Sequence, residues 1–330
     1  MKRVLPVFLL ICVVLSSCTA PFTERTLYVM DTVATIRLFS ENEEVADEIE
    51  KTLREMSASL SAHDGKLKEI NDAGQGEADE FISELFEISK EKSKETGGVF
   101  SPYLGAPIEL WGVGSKNYVT QDDEIKKALA TTDEANACLE ENKLSLKNGQ
   151  RLNFGAIAKG YATDKIRSIL AENNISGAVI SLGGNVYVHG KKENGEAFLV
   201  AVRDPLGSEN EWILTLMLSD SFVITSGDYE RFFEKDGKRY HHIINPETGR
   251  PCESDLLACC VVSKNGAEGD ALSTALYVMG KEKALSFWRE GDGFELVLIG
   301  RDKTVIVTEG LWDKFDPNEE KGYVYEIAKR

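Results

Sequence analysis

One uninterrupted stretch constrains this chain more than any other. Residues 225–251 read TSGDYERFFEKDGKRYHHIINPETGRP, and a second segment, GDALSTALYVMG, occupies 269–280. Asp236-Gly237 is a strong two-residue turn signal between runs rich in aromatic and charged residues, and it predicts a hairpin of strands 231–235 and 238–242. The hairpin carries two adjacent histidines into an Asn245-Pro246 turn. Alternation along a strand turns His241 and His242 to opposite sides. His242 is the candidate general base, placed where a loop can reach a pocket. His241 is expected on the hairpin surface. Arg231 can pair with a phosphate or with a carboxylate inside the hairpin, and the sequence leaves both open.

Residues 269–280 predict a helix that opens on Asp270. Thr274 follows one turn later on the same face. A carboxylate and a hydroxyl so placed suit a hard cation such as Mg²⁺, and Ser273 borders them. An ordinary helix cap and a small buried Thr account for the same letters. Residues 153–161, NFGAIAKGY, form a turn that opens another helix. Free N–H groups there suit a phosphate and Lys159 adds positive charge, although a plain helix entry looks the same. The SLGGN run at 181–185 is a strand turn or a close approach of backbone to a ligand. Phe100-Ser101-Pro102 and Leu110-Trp111-Gly112 flank a Gly- and Pro-rich loop whose aromatics either stack on a flat ligand or pack in the core.

Around these segments the pattern is mixed. Residues 27–38 alternate as a strand. Ser40 is the expected cap of a helix in which Val45, Ile49, Leu53, Met56 and Leu60 form one apolar stripe. Phe81, Leu85 and Ile88 mark a second helix stopped by Gly97-Gly98. Residues 105–114 are expected as loop, and 122–130 and 157–170 as helices. Strands are predicted at 178–182, 186–189, 198–202, 213–218, 256–262, 294–299 and 304–307, with a helix at 282–288. Frequent hairpins among the helices favour α+β over a doubly wound sheet.

The N-terminus addresses the chain. Lys2 and Arg3 precede an apolar run at 4–15, of signal-peptide length and too short to span a bilayer. It ends in Leu15-Ser16-Ser17-Cys18, which looks like a bacterial lipobox with Cys18 as the lipidated residue. The expected organisation is a signal peptide at 1–17, a lipidated Cys and tether at 18–26, and one domain at 27–330. A lipid would hold the domain at a membrane, facing the extracytoplasmic (periplasmic) side. The net charge of −17 argues against nucleic-acid binding. Cys138, Cys252, Cys259 and Cys260 show no CxxC spacing, so they predict neither a zinc site nor a redox pair. Cys259 and Cys260 are expected to pack on opposite faces of one buried strand.

In order, Met30-Asp31-Thr32, 100–114, 153–164, 181–185, 225–251 and 270–280 resemble the ApbE family of FAD:protein FMN transferases. The resemblance implies a tunnelling-fold-like mixed sheet with packed helices. It implies an enzyme that takes FAD and Mg²⁺, releases AMP and joins FMN by a phosphoester to a Thr or Ser of an acceptor protein. A membrane redox-complex subunit or a secreted flavoprotein would serve as acceptor. Asp270, Thr274, the Ala156 carbonyl and Ser273 match the metal positions. Met30, His63, Phe100, Ser101, Asn153, Lys159, His242 and Ile243 match the flavin-binding positions, and His242 matches the base that activates the acceptor. The chain departs from the family at Ser101 and Asn153, where Asp is frequent, and at His63, where some members carry a Tyr over the flavin. Hydrolysis of FAD to FMN and AMP, or flavin capture without catalysis, are the other functions compatible with these residues.

Overall fold

One strand of eight residues, Leu256–Ser263, is buried along its whole length, and the fold is built on its two covered faces. The computed structural model describes residues 22–208 and 210–330. The signal segment and Cys18 lie outside the described residues. The strands, in chain order, are β1 (Thr23–Val29), β2 (Thr32–Leu38), β3 (Gln75–Glu77), β4 (Ala137–Glu140), β5 (Lys143–Leu146), β6 (Gly177–Leu182), β7 (Asn185–Gly190), β8 (Phe198–Arg203), β9 (Trp212–Leu218), β10 (Ser221–Gly227), β11 (Phe232–Lys235), β12 (Lys238–His241), β13 (Leu256–Ser263), β14 (Phe294–Gly300), β15 (Thr304–Thr308), β16 (Phe315–Pro317) and β17 (Val324–Ala328). The helices are α1 (Glu43–Leu60), α2 (Lys66–Ala73), α3 (Glu80–Glu95), α4 (Gly105–Trp111), α5 (Asp122–Leu129), α6 (Ala158–Glu172), α7 (Gly266–Met279) and α8 (Lys281–Glu290).

A nine-stranded sheet runs β1-β2-β6-β7-β10-β13-β14-β15-β17. Its pairs are antiparallel except β15 with β17, which makes the sheet mixed and the architecture α+β. Alternation along its central strands sends side chains to both faces and feeds three clusters. Cys259 points into a cluster with Leu272, Leu276, Tyr277 and Trp288 of α7 and α8. Cys260 points the other way, against Val200, Leu214 and Leu216 of a three-stranded sheet, β16-β9-β8. Phe222 and Ile224 of β10 face the core built with α1, α3 and α6, whereas Val223 faces the small sheet. The opposite-face placement of the two cysteines is therefore as expected, and both are free thiols.

Several elements and boundaries differ from the sequence reading. Residues 27–38 are a hairpin, not one strand, because Met30 and Asp31 both adopt positive φ (53° and 57°) in a two-residue turn that carries no Gly to announce it. The cap of α1 is Asn42, not Ser40, and its side chain accepts from Val45 N at 3.1 Å. The expected loop at 105–114 begins with α4, which tolerates Pro107 because it lies in the first turn. Helix α7 starts three residues earlier than expected, at Gly266, so Asp270 stands in its second turn and is not a terminal cap. Strand β10, which the alternation did not reveal, is buried over its first four residues and reads as a continuous apolar run.

Candidate functional site

The site forms where α6 and α7 cross. Asp164 of α6 accepts from Gly266 N at 3.0 Å and Ala267 N at 2.8 Å, which satisfies donors that the start of α7 would otherwise leave free. The two helices then meet through glycine. A Cβ at Gly160 would lie 2.0 Å from Gly266 O and 2.7 Å from Asp270 Cβ, so no side chain fits there. This contact brings the first turn of α6 against the carboxylate of Asp270.

Asp270 is 3 % exposed. Its Oδ2 accepts from Gly160 N at 2.9 Å and its Oδ1 from Asn185 Nδ2 at 3.0 Å, with Lys159 Nζ 3.5 Å from Oδ1. Because Gly160 donates to Asp270, it does not close the first turn of its own helix, and no donor reaches the Ala156 carbonyl among the described residues. Thr274 Oγ1 lies 3.1 Å from Ser226 Oγ, which is 2.8 Å from Ser273 Oγ. Ser273 is fully buried and donates to its own helix at Asp270 O (2.9 Å), so its hydroxyl proton is committed inward. The Asp270 carboxylate, the Thr274 hydroxyl one turn along α7 and the Ala156 carbonyl are all oxygen donors, the type a hard cation takes. Among the described residues no three His, Cys, Asp or Glu side chains converge as a metal centre. Oxygen donors of this kind suit a hard divalent cation better than a softer ion, which prefers imidazole or thiolate.

His242 follows β12. Its Nδ1 is 3.2 Å from Arg231 O, which also accepts its backbone N–H at 3.1 Å. An acceptor at Nδ1 requires a proton there and leaves the Nε2 lone pair free, the tautomer a base needs. Desolvation lowers the His242 pKa to about 3, reinforced by the positive charge of Arg231 and Lys159 and opposed by the bond to Arg231 O. Arg231 itself donates to Asp31 O at 2.8 Å, so it clasps the turn after β1, and among the described residues it makes no ion pair inside the hairpin. Glu230 has exposed surface, yet desolvation raises its carboxyl pKa against the pull of Lys159 and Arg231, and the like charge of Asp270 adds to the rise.

His241 corrects the expectation of a surface residue. It is 4 % exposed; Nε2 meets Cys252 O at 2.7 Å and Nδ1 accepts from Ile243 N at 3.3 Å. Both nitrogens are used by one neutral tautomer. Desolvation lowers its pKa. The hairpin is held from its other face by stacking of Tyr240 on Trp111 (5.5 Å) and on Phe233 (5.2 Å), while Trp111 Nε1 donates to Gly249 O at 2.8 Å.

The remaining predicted residues divide. Met30 is half-buried at the β1–β2 turn, and its N–H donates to Ser57 Oγ of α1 at 3.1 Å. His63 is exposed just beyond the same end of α1, on a loop whose Ser61 Oγ accepts its N–H at 3.2 Å. Asn153 is half-buried; its N–H donates to Pro102 O and its Oδ1 accepts from Gly155 N, both at 2.8 Å, which shapes the entry to α6. Ser101 lines a cavity of about 290 Å³ with Tyr103, Leu104, Pro246 and Glu247, so the 100-loop and the turn after His242 share one hollow. Phe100 and Ile243 are not presented to it. Phe100 is 2 % exposed in the main core and Ile243 5 % exposed beneath α7, because each occupies an inward position of a packed segment. Sequence reasoning missed Asn185, Ser226 and Glu230; all three fall inside the runs that carry the resemblance, but nothing in their spacing marks their side chains.

Comparison with known proteins bears on this arrangement. The family model described as "ApbE family" matches residues 30–298. An FAD:protein FMN transferase of Treponema pallidum is 33% identical over 318 residues, covering 88% of each chain. One from Klebsiella pneumoniae is 28% identical over 292 residues, 86% of this chain and 90% of its own. The crystal structure of the ApbE protein of Thermotoga maritima superposes with a TM-score of 0.78 at 29% identity, covering 93% of this chain and 100% of that one. The apo flavinyl transferase ApbE of Pseudomonas stutzeri gives a TM-score of 0.74 at 27% identity, over 84% of this chain and 91% of that one.

Proposed function

The chain belongs to the ApbE family, and we propose that it is an Mg²⁺-dependent FAD:protein FMN transferase that joins FMN by a phosphoester to a Thr or Ser of an acceptor protein. The observation that supports the reading is the buried Asp270 carboxylate, held by the Gly160 amide four residues beyond the Ala156 carbonyl, with the Thr274 hydroxyl one turn along the same helix and a tautomer-defined His242 within the field of Lys159. Asp270, Thr274 and Ala156 would hold the cation. When bound, it would neutralise charge on the pyrophosphate that is cleaved.

The chain's own residues supply the rest. Lys159 places positive charge beside the phosphates. His242 Nε2 takes the proton of the acceptor hydroxyl. The acceptor oxygen forms a bond to the FMN phosphorus, the bond to the bridging pyrophosphate oxygen breaks, and AMP leaves with the electron pair. General-base help is worth about 10²–10⁴ in rate. The anionic pyrophosphate offsets the positive field of Arg231 and Lys159 and so raises the basicity of His242 when substrate is bound.

The test uses residues 19–330 with FAD, with and without Mg²⁺, and an acceptor domain that carries a candidate Thr. Mg²⁺-dependent AMP release together with covalent flavin fluorescence on the acceptor is the expected result. AMP without labelled acceptor assigns hydrolysis of FAD instead, and flavin binding with neither product overturns the catalytic reading. His242→Ala should lower transfer far more than hydrolysis.

The location is proposed from sequence alone. Lys2, Arg3, the apolar run 4–15 and Cys18 support a lipid-anchored protein facing the periplasm, with an acceptor at the same membrane. Among the described residues no helix is long and apolar enough to cross a membrane. Cys18→Ala should move the protein from the membrane to the soluble fraction and abolish its labelling by palmitate.

A further inference from the structure

The three hydroxyls beside Asp270 have only one consistent arrangement of protons. A backbone carbonyl only accepts, so the 2.9 Å contact of Ser273 Oγ with Asp270 O uses the single proton of Ser273. Ser226 must then donate in its 2.8 Å contact with Ser273 Oγ. With the Ser226 proton used, Thr274 must donate in the 3.1 Å contact with Ser226 Oγ. The chain runs Thr274 to Ser226 to Ser273 to the Asp270 carbonyl, and each hydroxyl proton is used within it. A helical Thr ordinarily turns its proton back to the carbonyl four residues earlier. Here that carbonyl belongs to Asp270 and receives the Ser273 proton instead.

We propose that Ser226 is a positioning residue for the cation site. It sits on β10, outside α7, and accepts the Thr274 proton, so the lone pairs of Thr274 Oγ1 stay available to a divalent cation. A free hydroxyl would rotate and present its proton to the ion for part of the time. The same reasoning assigns Ser273 to the relay, as the acceptor that orients Ser226, and not to the ligand set. The proposal rests on the cation reading given above. Removal of an outer hydrogen-bond partner of this kind typically costs about 10- to 100-fold in metal affinity.

The experiment measures Mn²⁺ binding by electron paramagnetic resonance in the presence of FAD, for wild type, Ser226→Ala, Ser226→Thr, Thr274→Ala and the double variant Ser226→Ala/Thr274→Ala. Ser226→Ala should weaken Mn²⁺ about tenfold or more, and Ser226→Thr, which keeps the hydroxyl, should restore it. FAD binding without metal, followed by flavin fluorescence, should be unchanged. In the double variant the loss should match that of Thr274→Ala alone, because Ser226 acts through Thr274. Wild-type Mn²⁺ affinity in Ser226→Ala, or losses that add in the double variant, would overturn the relay and leave the cation site standing. A wild-type protein that binds no Mn²⁺ overturns the cation reading and the relay together.

Discussion

The backbone amide of Gly160 donates to Asp270 Oδ2 at 2.9 Å, across two helices, instead of closing the first turn of its own. That bond serves twice. It satisfies a buried carboxylate oxygen, and among the described residues it leaves the Ala156 carbonyl without a donor.

Gly160→Ala tests how closely α6 and α7 must approach. In an exposed helix this change ordinarily stabilises by about 1 kcal/mol. Here the new Cβ would meet Gly266 O at 2.0 Å, so the sign should reverse. Urea unfolding should show a loss of about 1–3 kcal/mol, and Mn²⁺ affinity should fall with it. A stabilised variant would mean that the helices can part without cost.

Asp270→Asn keeps the size of the side chain and removes its charge. AMP release from FAD should drop about 100-fold or more, since a bound cation supplies several kcal/mol of stabilisation to such a transition state. Circular dichroism should report an unchanged fold. AMP release at the wild-type rate would remove Asp270 from the reaction.

The two histidines after the hairpin give a pH signature. Both are held neutral with lowered pKa values, His242 at about 3. The unfolded chain takes up these protons near pH 6.5 and the folded chain does not. Stability from this source is therefore complete above pH 6.5 and is lost as pH falls toward the folded values, at no more than about 1.4 kcal/mol per pH unit for each group. The measurement is unfolding of wild type against His242→Gln at pH 7, 6 and 5, where carboxylates common to both cancel. Wild type should lose ground to the variant as pH falls; parallel curves would show that His242 is freely protonated in the folded state.

Trp111 ties α4 to the hairpin through its stack on Tyr240 and its bond to Gly249 O. A two-stranded hairpin is marginal by itself. Trp111→Leu should destabilise the protein by about 2–4 kcal/mol and open 232–241 to limited proteolysis. FMN transfer should fall while Mn²⁺ affinity is retained, because Asp270 lies on α7 and not on the hairpin. Equal loss of both would show that the hairpin and the cation site form one cooperative unit.

Local signals carried much of the fold. Asp236-Gly237 marked the hairpin, the stripe from Val45 to Leu60 marked α1, and the run around Cys259 and Cys260 marked a strand buried on both faces. The misreadings were also local. The Met30-Asp31 turn uses positive φ without glycine, and α7 begins under an Asn265 cap that the apolar pattern did not reveal. His241 was misplaced because an exposed and a buried strand end look alike until the Cys252 carbonyl is seen against it.

The sequence by itself determined many of the elements, the family and the placement of Asp270 and Thr274 on one helix face, because each depends on residues a few positions apart or on ordered motifs. Tertiary structure decided which partners complete the site. Gly160 lies 110 residues from Asp270, Asn185 lies 85 from it, and Ser226 lies 48 from Thr274. These pairs meet because the sheet sets β7 and β10 side by side under α7 and because two glycines let α6 close on α7. Such contacts depend on strand order and helix packing, which no periodicity within a single segment encodes.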